Sequence, residues 1–201
     1  MIEVDQLGER GWCVLDSFLP SENAAQILKW EQAAWDRGEF RDGRVGKGEA
    51  QRESQIRTDY IRWIRETETS EVLPHAAFFA AMIQLREQLR EEAFLPLKSH
   101  EFHATVYPPG AFYRKHVDVF RGEQSTRLMS CIYYLNADWK PEDGGALRIY
   151  PQDETGFVDI YPAFNRLVVF QSRKIPHEVL APTRPRFALT GWLRSDLPLI
   201  P

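Results

Sequence analysis

Apolar and polar positions divide this 201-residue chain into two unlike halves. Trp12-Cys13-Val14-Leu15 reads as a short opening strand. Ala24, Ile27, Leu28 and Trp35 then recur at helical spacing. They predict a helix that begins at Pro20-Ser21-Glu22, with Ser21 as N-cap and Glu22 in the first turn, and stops at Gly38. Phe78, Met82, Leu85 and Leu89 predict a second helix from about Pro74 to Glu92, where the proline suits the first turn. Between them, Gly43-Arg44-Val45-Gly46-Lys47-Gly48-Glu49 is polar and glycine-rich, which by composition alone is a solvated loop.

From Phe102 the period changes from helical to alternating. Strands are expected near Phe102–Tyr107, Leu128–Leu135, Ala146–Tyr150, Phe157–Tyr161, Arg166–Phe170 and Phe187–Leu193. Asp143-Gly144-Gly145 and Pro162-Ala163-Phe164-Asn165 carry turn chemistry. Many short strands without helices between them predict a sandwich or barrel rather than a parallel sheet. No repeat or linker interrupts the chain, so it reads as a single domain over 1–201 with helical support in 1–100 and a β core in 101–195.

Composition narrows the function class. A net charge of −4 argues against nucleic acid as the main partner, because phosphate binding needs a basic surface. Two cysteines, Cys13 and Cys131, are too few for a disulfide framework or a cysteine-based zinc site. Met1-Ile2-Glu3-Val4-Asp5 lacks the basic and apolar regions of a signal peptide, and no apolar run has the length of a spanning helix. A cytoplasmic protein is the expectation, with oligomeric state open.

Three residues then stand out. His116-Val117-Asp118 places an imidazole and a carboxylate two positions apart, which in a strand puts both on one side. His177 follows far downstream in Lys174-Ile175-Pro176-His177-Glu178, on a segment able to return to the same point. Two imidazoles and one carboxylate cap one face of an octahedral metal and leave the other open, the ligand set of non-haem Fe(II) oxygenases. Nine residues past His177, alternation in Arg186-Phe187-Ala188-Leu189-Thr190-Gly191-Trp192 points Arg186, Thr190 and Trp192 to one face. A buried guanidinium is costly without an anion, and its planar fork matches a carboxylate. Arg186 is therefore expected to bind the far carboxylate of a small diacid, with the Tyr134 hydroxyl beside it. His75, His100 and His103 read as ordinary surface or core histidines.

Ser130-Cys131-Ile132-Tyr133-Tyr134-Leu135-Asn136, Trp139, Gly144-Gly145-Ala146-Leu147-Arg148-Ile149-Tyr150, Asp159-Ile160-Tyr161-Pro162 and Pro176-His177-Glu178-Val179 follow one another in order. This run resembles the 2-oxoglutarate- and Fe(II)-dependent prolyl hydroxylases, and most of all the subfamily that modifies hypoxia-inducible factor with its bacterial relatives. Ile56-Arg57-Thr58-Asp59 with Trp63-Ile64 continues the likeness upstream. The resemblance implies a double-stranded β-helix, the jelly-roll or cupin-like barrel of two antiparallel sheets, with N-terminal helices packed on one side. It implies that His116, Asp118 and His177 hold Fe(II), and that Arg186 pairs with the 5-carboxylate of 2-oxoglutarate. Tyr134, Thr190 and Tyr107 fall where the family contacts that cosubstrate. Tyr113 would line the iron pocket, Trp192 would face the substrate, and Asp59 would form a salt bridge with Arg127 near the substrate channel. The loop from about Phe40 to Gln55 corresponds to a segment that covers substrate.

The activity implied is hydroxylation of a prolyl residue in a protein or peptide, consuming O2 and 2-oxoglutarate, releasing succinate and CO2, and helped by ascorbate as reductant. Aspartate at 118, rather than glycine or alanine, indicates hydroxylation instead of halogenation. Three rivals remain open: a hydroxylase of a free amino acid or small metabolite, a non-catalytic iron and 2-oxoglutarate sensor, and a zinc hydrolase built on the same triad.

Overall fold

Two antiparallel sheets face one another in the computed structural model, which describes residues 2–43, 55–64, 74–119, 124–151 and 156–197. In chain order the elements are α1 (Val4–Arg10), β1 (Trp12–Leu15), α2 (Ser21–Asp36), β2 (Arg41–Asp42), β3 (Tyr60–Ile64), α3 (Ala76–Glu92), β4 (Ser99–Tyr107), β5 (Tyr113–His116), β6 (Arg127–Tyr134), β7 (Leu147–Ile149), β8 (Val158–Ile160), β9 (Arg166–Gln171), β10 (His177–Val179) and β11 (Arg186–Arg194). The large sheet runs β1-β9-β6-β11-β4-β3-β2 and the small one β5-β10-β7-β8. This is the expected double-stranded β-helix with helical support. Among the described residues no helix is long and apolar enough to cross a membrane.

Strict alternation in the central strands builds two cores. Phe102, Ala104 and Val106 of β4, Met129, Cys131 and Tyr133 of β6, Leu167 and Val169 of β9, and Phe187, Leu189 and Leu193 of β11 share one cluster with α2 and α3. The residues between them, including Tyr107, Ile132, Tyr134, Val168, Phe170 and Ala188, join Leu147, Ile149 and Val179 of the small sheet in a second cluster. Period-two side chains must face opposite ways, so a strand covered on both sides is apolar throughout. The helical cover is aromatic: the Phe78 ring of α3 lies 5.0 Å from Phe102 and 5.3 Å from Tyr133. Gly191 permits the closest approach, because a Cβ there would sit 2.1 Å from the Glu101 carbonyl oxygen.

Local expectations differ from the structure in three places. Ser21 is the first residue of α2 rather than its cap; Pro20 holds the cap position and offers no side-chain hydrogen bond. Asp118 lies in a bend after β5, so strand alternation is not what aims it. The short strands β2, β3, β5 and β10 and helix α1 were not anticipated, since two to seven residues carry too little periodicity to announce an element. Most of the expected covering loop, residues 44–54, lies outside the described residues.

Candidate active site

Register brings the two histidines together. His116 ends β5 and His177 begins β10, and the two are direct cross-strand partners. The chain then bends at Asp118, whose Oδ1 lies 3.7 Å from His116 Nε2 and 3.9 Å from His177 Nε2. The donor atoms of all three lie within 4.8 Å of one another.

Both rings are oriented from behind. His116 Nδ1 lies 2.7 Å from the Arg114 carbonyl oxygen and His177 Nδ1 lies 3.0 Å from that of Ile175. Those contacts put the proton on Nδ1 and leave each Nε2 lone pair aimed at the common point. Asp118 is treated likewise. The Ser130 hydroxyl donates to Oδ2 at 2.5 Å and the Trp192 indole N–H at 3.1 Å, while Ser172 backs Ser130 at 2.9 Å. Oδ2 is thus occupied and Oδ1 faces the imidazoles. Burial opposes ionisation of Asp118, but His177, His116 and Ser130 outweigh it and hold the carboxyl well below the usual range. Burial pushes the His177 imidazole down to about 4, so it is neutral and free to ligate. A facial set of two imidazoles and one carboxylate fits Fe(II).

At the other end of β11 lies an unpaired cation. Arg186 is 1% exposed, yet among the described residues it pairs with no carboxylate. Its Nε donates to the Gly145 carbonyl at 2.8 Å, while Nη2 is buried without a partner, as is the Tyr134 hydroxyl. The guanidinium carbon sits 4.9 Å from the Tyr134 ring centre and 5.0 Å from that of Tyr107. Gly145 has a positive φ of 66°, and a Cβ there would come within 3.1 Å of Arg186 Cδ. A carboxylate docked here would satisfy both stranded atoms, which is the fit a diacid requires. Thr190, on the same face, shares its hydroxyl with Thr105 at 3.1 Å.

Around the triad, Tyr113 stacks on His116 with ring centres 3.6 Å apart. Arg57 lies 4.5 Å from the centre of the Tyr113 ring and is itself clasped by Asp59, at 2.7 and 2.5 Å. The expected Asp59–Arg127 salt bridge is therefore replaced. Asp59 is fully buried under Arg57, whereas Arg127 pairs with Glu101 at 2.8 Å and covers the Trp192 ring at 3.5 Å. The nearer cation takes the carboxylate, because Arg57 sits two residues away on the same segment and sequence order alone does not rank such partners.

Sequence reading also passed over Ser130, Thr105 and His103. Each stands at an inward position of its strand, in register with Tyr134 or Tyr107 by alternation, so the signal was present. His103 is 5% exposed and lies between Trp63 and Trp192, with ring centres at 4.9 and 5.6 Å. Burial, with Arg57 and Arg127 nearby, pushes its imidazole down to about 3, leaving one N–H and one lone pair.

Comparison with known proteins agrees with this geometry. Residues 102–194 match the family model of the 2OG-Fe(II) oxygenase superfamily. Human Egl nine homolog 1 is 34% identical over 195 residues, covering 92% of this chain and 44% of that protein. The chain thus spans about half the length of the first curated relatives it matches. A crystal structure of a Pseudomonas putida prolyl-4-hydroxylase superposes with a TM-score of 0.85 at 37% identity, covering 96% of this chain and 97% of that one. A Trichoplax adhaerens prolyl hydroxylase, solved with a hypoxia inducible factor oxygen degradation domain peptide fragment, also reaches 0.85, at 28% identity over 96% and 87% of the two chains.

Proposed function

Because the chain belongs to the 2OG-Fe(II) oxygenase superfamily, in its prolyl hydroxylase branch, we propose that it hydroxylates a prolyl residue of a protein or peptide. The observation that carries this reading is the buried Arg186 guanidinium, stranded beside the Tyr134 hydroxyl in the same barrel as the His116, Asp118 and His177 donors. When bound, Fe(II) would supply the oxidation, in which O2 and 2-oxoglutarate give succinate and CO2 as a substrate C–H becomes C–OH. The protein's own contribution is positional. His116, Asp118 and His177 would hold the metal from one side, with ring tautomers set by the Arg114 and Ile175 carbonyls. Arg186 and Tyr134 would hold the 5-carboxylate, with Thr190 and Tyr107 alongside. Arg186 matters here for its fork, which fixes the diacid's direction as well as its charge. Apolar neighbours such as Phe170, 4.6 Å from His177, keep water from the enclosed side. Tyr113 and Trp192 would flank the substrate, and Arg127 acts on it through the Trp192 ring it covers. Asp59 supports Arg57 and Tyr113 from beneath.

The proposed unit is the whole of 1–201, with 1–100 as support and 101–195 as the catalytic barrel. Ascorbate as reductant and a cytoplasmic setting belong to the same reading. Mass spectrometry of prolyl peptides incubated with the protein, Fe(II), O2 and 2-oxoglutarate tests it. One oxygen gained on proline per succinate is expected, and none without 2-oxoglutarate. Oxygen gained by a free amino acid instead would move the assignment to a metabolite hydroxylase. Cosubstrate binding with no succinate from any substrate would favour a sensor.

A further inference from the structure

His103 has no place in the machinery described so far, yet its surroundings are those of a working group. Opposite Thr190 in register, it shares an inward face with Thr105 and Tyr107. Its ring bridges Trp63, which is 49% exposed, and Trp192, whose indole reaches Asp118. The series Trp63, His103, Trp192, Asp118 therefore leads from solvent to the metal-binding carboxylate. Within it, His103 Nδ1 is buried and makes no hydrogen bond among the described residues. Packing alone does not call for a ring nitrogen here, and stranding one costs desolvation that leucine or phenylalanine would avoid. Such a group is completed by something that enters the pocket.

The chemistry of proline says what that is. A prolyl nitrogen carries no hydrogen, so the target residue itself and the peptide bond before it offer only carbonyl oxygens, which need a donor. A neutral imidazole supplies one N–H. We infer that His103 is a specificity-determining residue of this site, donating a hydrogen bond to a substrate carbonyl oxygen next to the target proline and holding the ring against Trp192. The inference rests on the prolyl reading above. The competing acceptor, a carboxylate of 2-oxoglutarate, is less well served. The stranded Arg186 opens β11 and Tyr134 closes the neighbouring β6 beside it, whereas His103 lies against half-exposed Trp63, nearer solvent.

Binding with Zn(II) in place of iron separates the two acceptors without turnover. Retention of a pool of proline-centred hexapeptides by the Zn(II)–2-oxoglutarate form would weaken about tenfold in His103→Phe and recover in His103→Gln, which keeps a donor. Calorimetric affinity for 2-oxoglutarate would stay within about twofold in both. Unchanged peptide retention in a folded His103→Phe protein would overturn the inference. So would a loss confined to 2-oxoglutarate, which assigns the imidazole to the cosubstrate. Failure of the prolyl reading looks different: wild-type protein with Fe(II) would then add oxygen to no member of the pool.

Discussion

Trp192 donates its indole N–H to Asp118 Oδ2 across 3.1 Å, so the strand that opens with the stranded Arg186 also reaches the carboxylate of the candidate metal triad. One rigid element thereby spans both ends of the site. Trp192→Phe keeps a ring under Arg127 and leaves Oδ2 with the Ser130 hydroxyl as its one remaining donor among the described residues. Loss of such an outer partner typically costs about 10–100-fold in metal affinity or activity, and Fe(II)-dependent succinate release together with metal titration would measure it. Wild-type metal affinity in the variant would deny the contact any role.

Arg186→Lys keeps the charge and loses the fork. Breaking a buried pair costs about 3–5 kcal/mol, and a lysine cannot span two carboxylate oxygens. Calorimetry should show 2-oxoglutarate affinity falling far more than thermal stability, because the partner proposed for Arg186 is the cosubstrate and no carboxylate pairs with it among the described residues. A variant that binds 2-oxoglutarate normally would remove Arg186 from the site.

The two salt bridges that replace the expected one should behave differently. Asp59→Ala removes the buried carboxylate that clasps Arg57 and should destabilise the fold by about 3–5 kcal/mol. Arg127→Ala removes a part-exposed pair with Glu101 and should cost no more than about 1 kcal/mol. Urea melts of the two variants decide between this arrangement and direct Asp59–Arg127 pairing, which would make the two losses similar.

Metal should stabilise the folded chain through the triad. Ligand present at a hundred times its dissociation constant adds about 2.7 kcal/mol, so Zn(II) or Fe(II) should raise the melting temperature and a chelator should reverse it. In His116→Ala the fold should persist while that shift disappears. A metal-induced shift of wild-type size in the variant would place the ion elsewhere.

Much of the site was legible in one dimension because strands impose a period of two. Arg186, Thr190 and Trp192 share a face in the sequence and again in the barrel, and His103, Thr105 and Tyr107 repeat the rule on the neighbouring strand. His116 and Asp118 were paired for a reason that does not hold: a bend, not alternation, turns the carboxylate toward the imidazoles. Asp59 was matched to a distant arginine when a nearer one, Arg57, stood two residues away.

From its order of residues alone, this chain declared a β sandwich or barrel, the donor types for a metal, and an arginine in need of an anion, since each is written in local period or side-chain chemistry. Tertiary structure decided which nitrogen of each histidine is free, which oxygen of Asp118 faces the rings, which cation holds Asp59, and that His103 packs between Trp63 and Trp192. Some of these partners are distant, as Trp192 is from Asp118, and others stand only two residues away, as Arg114, Ile175 and Arg57 do; which contact forms is set by backbone conformation, register and packing, which the local pattern of the chain does not record.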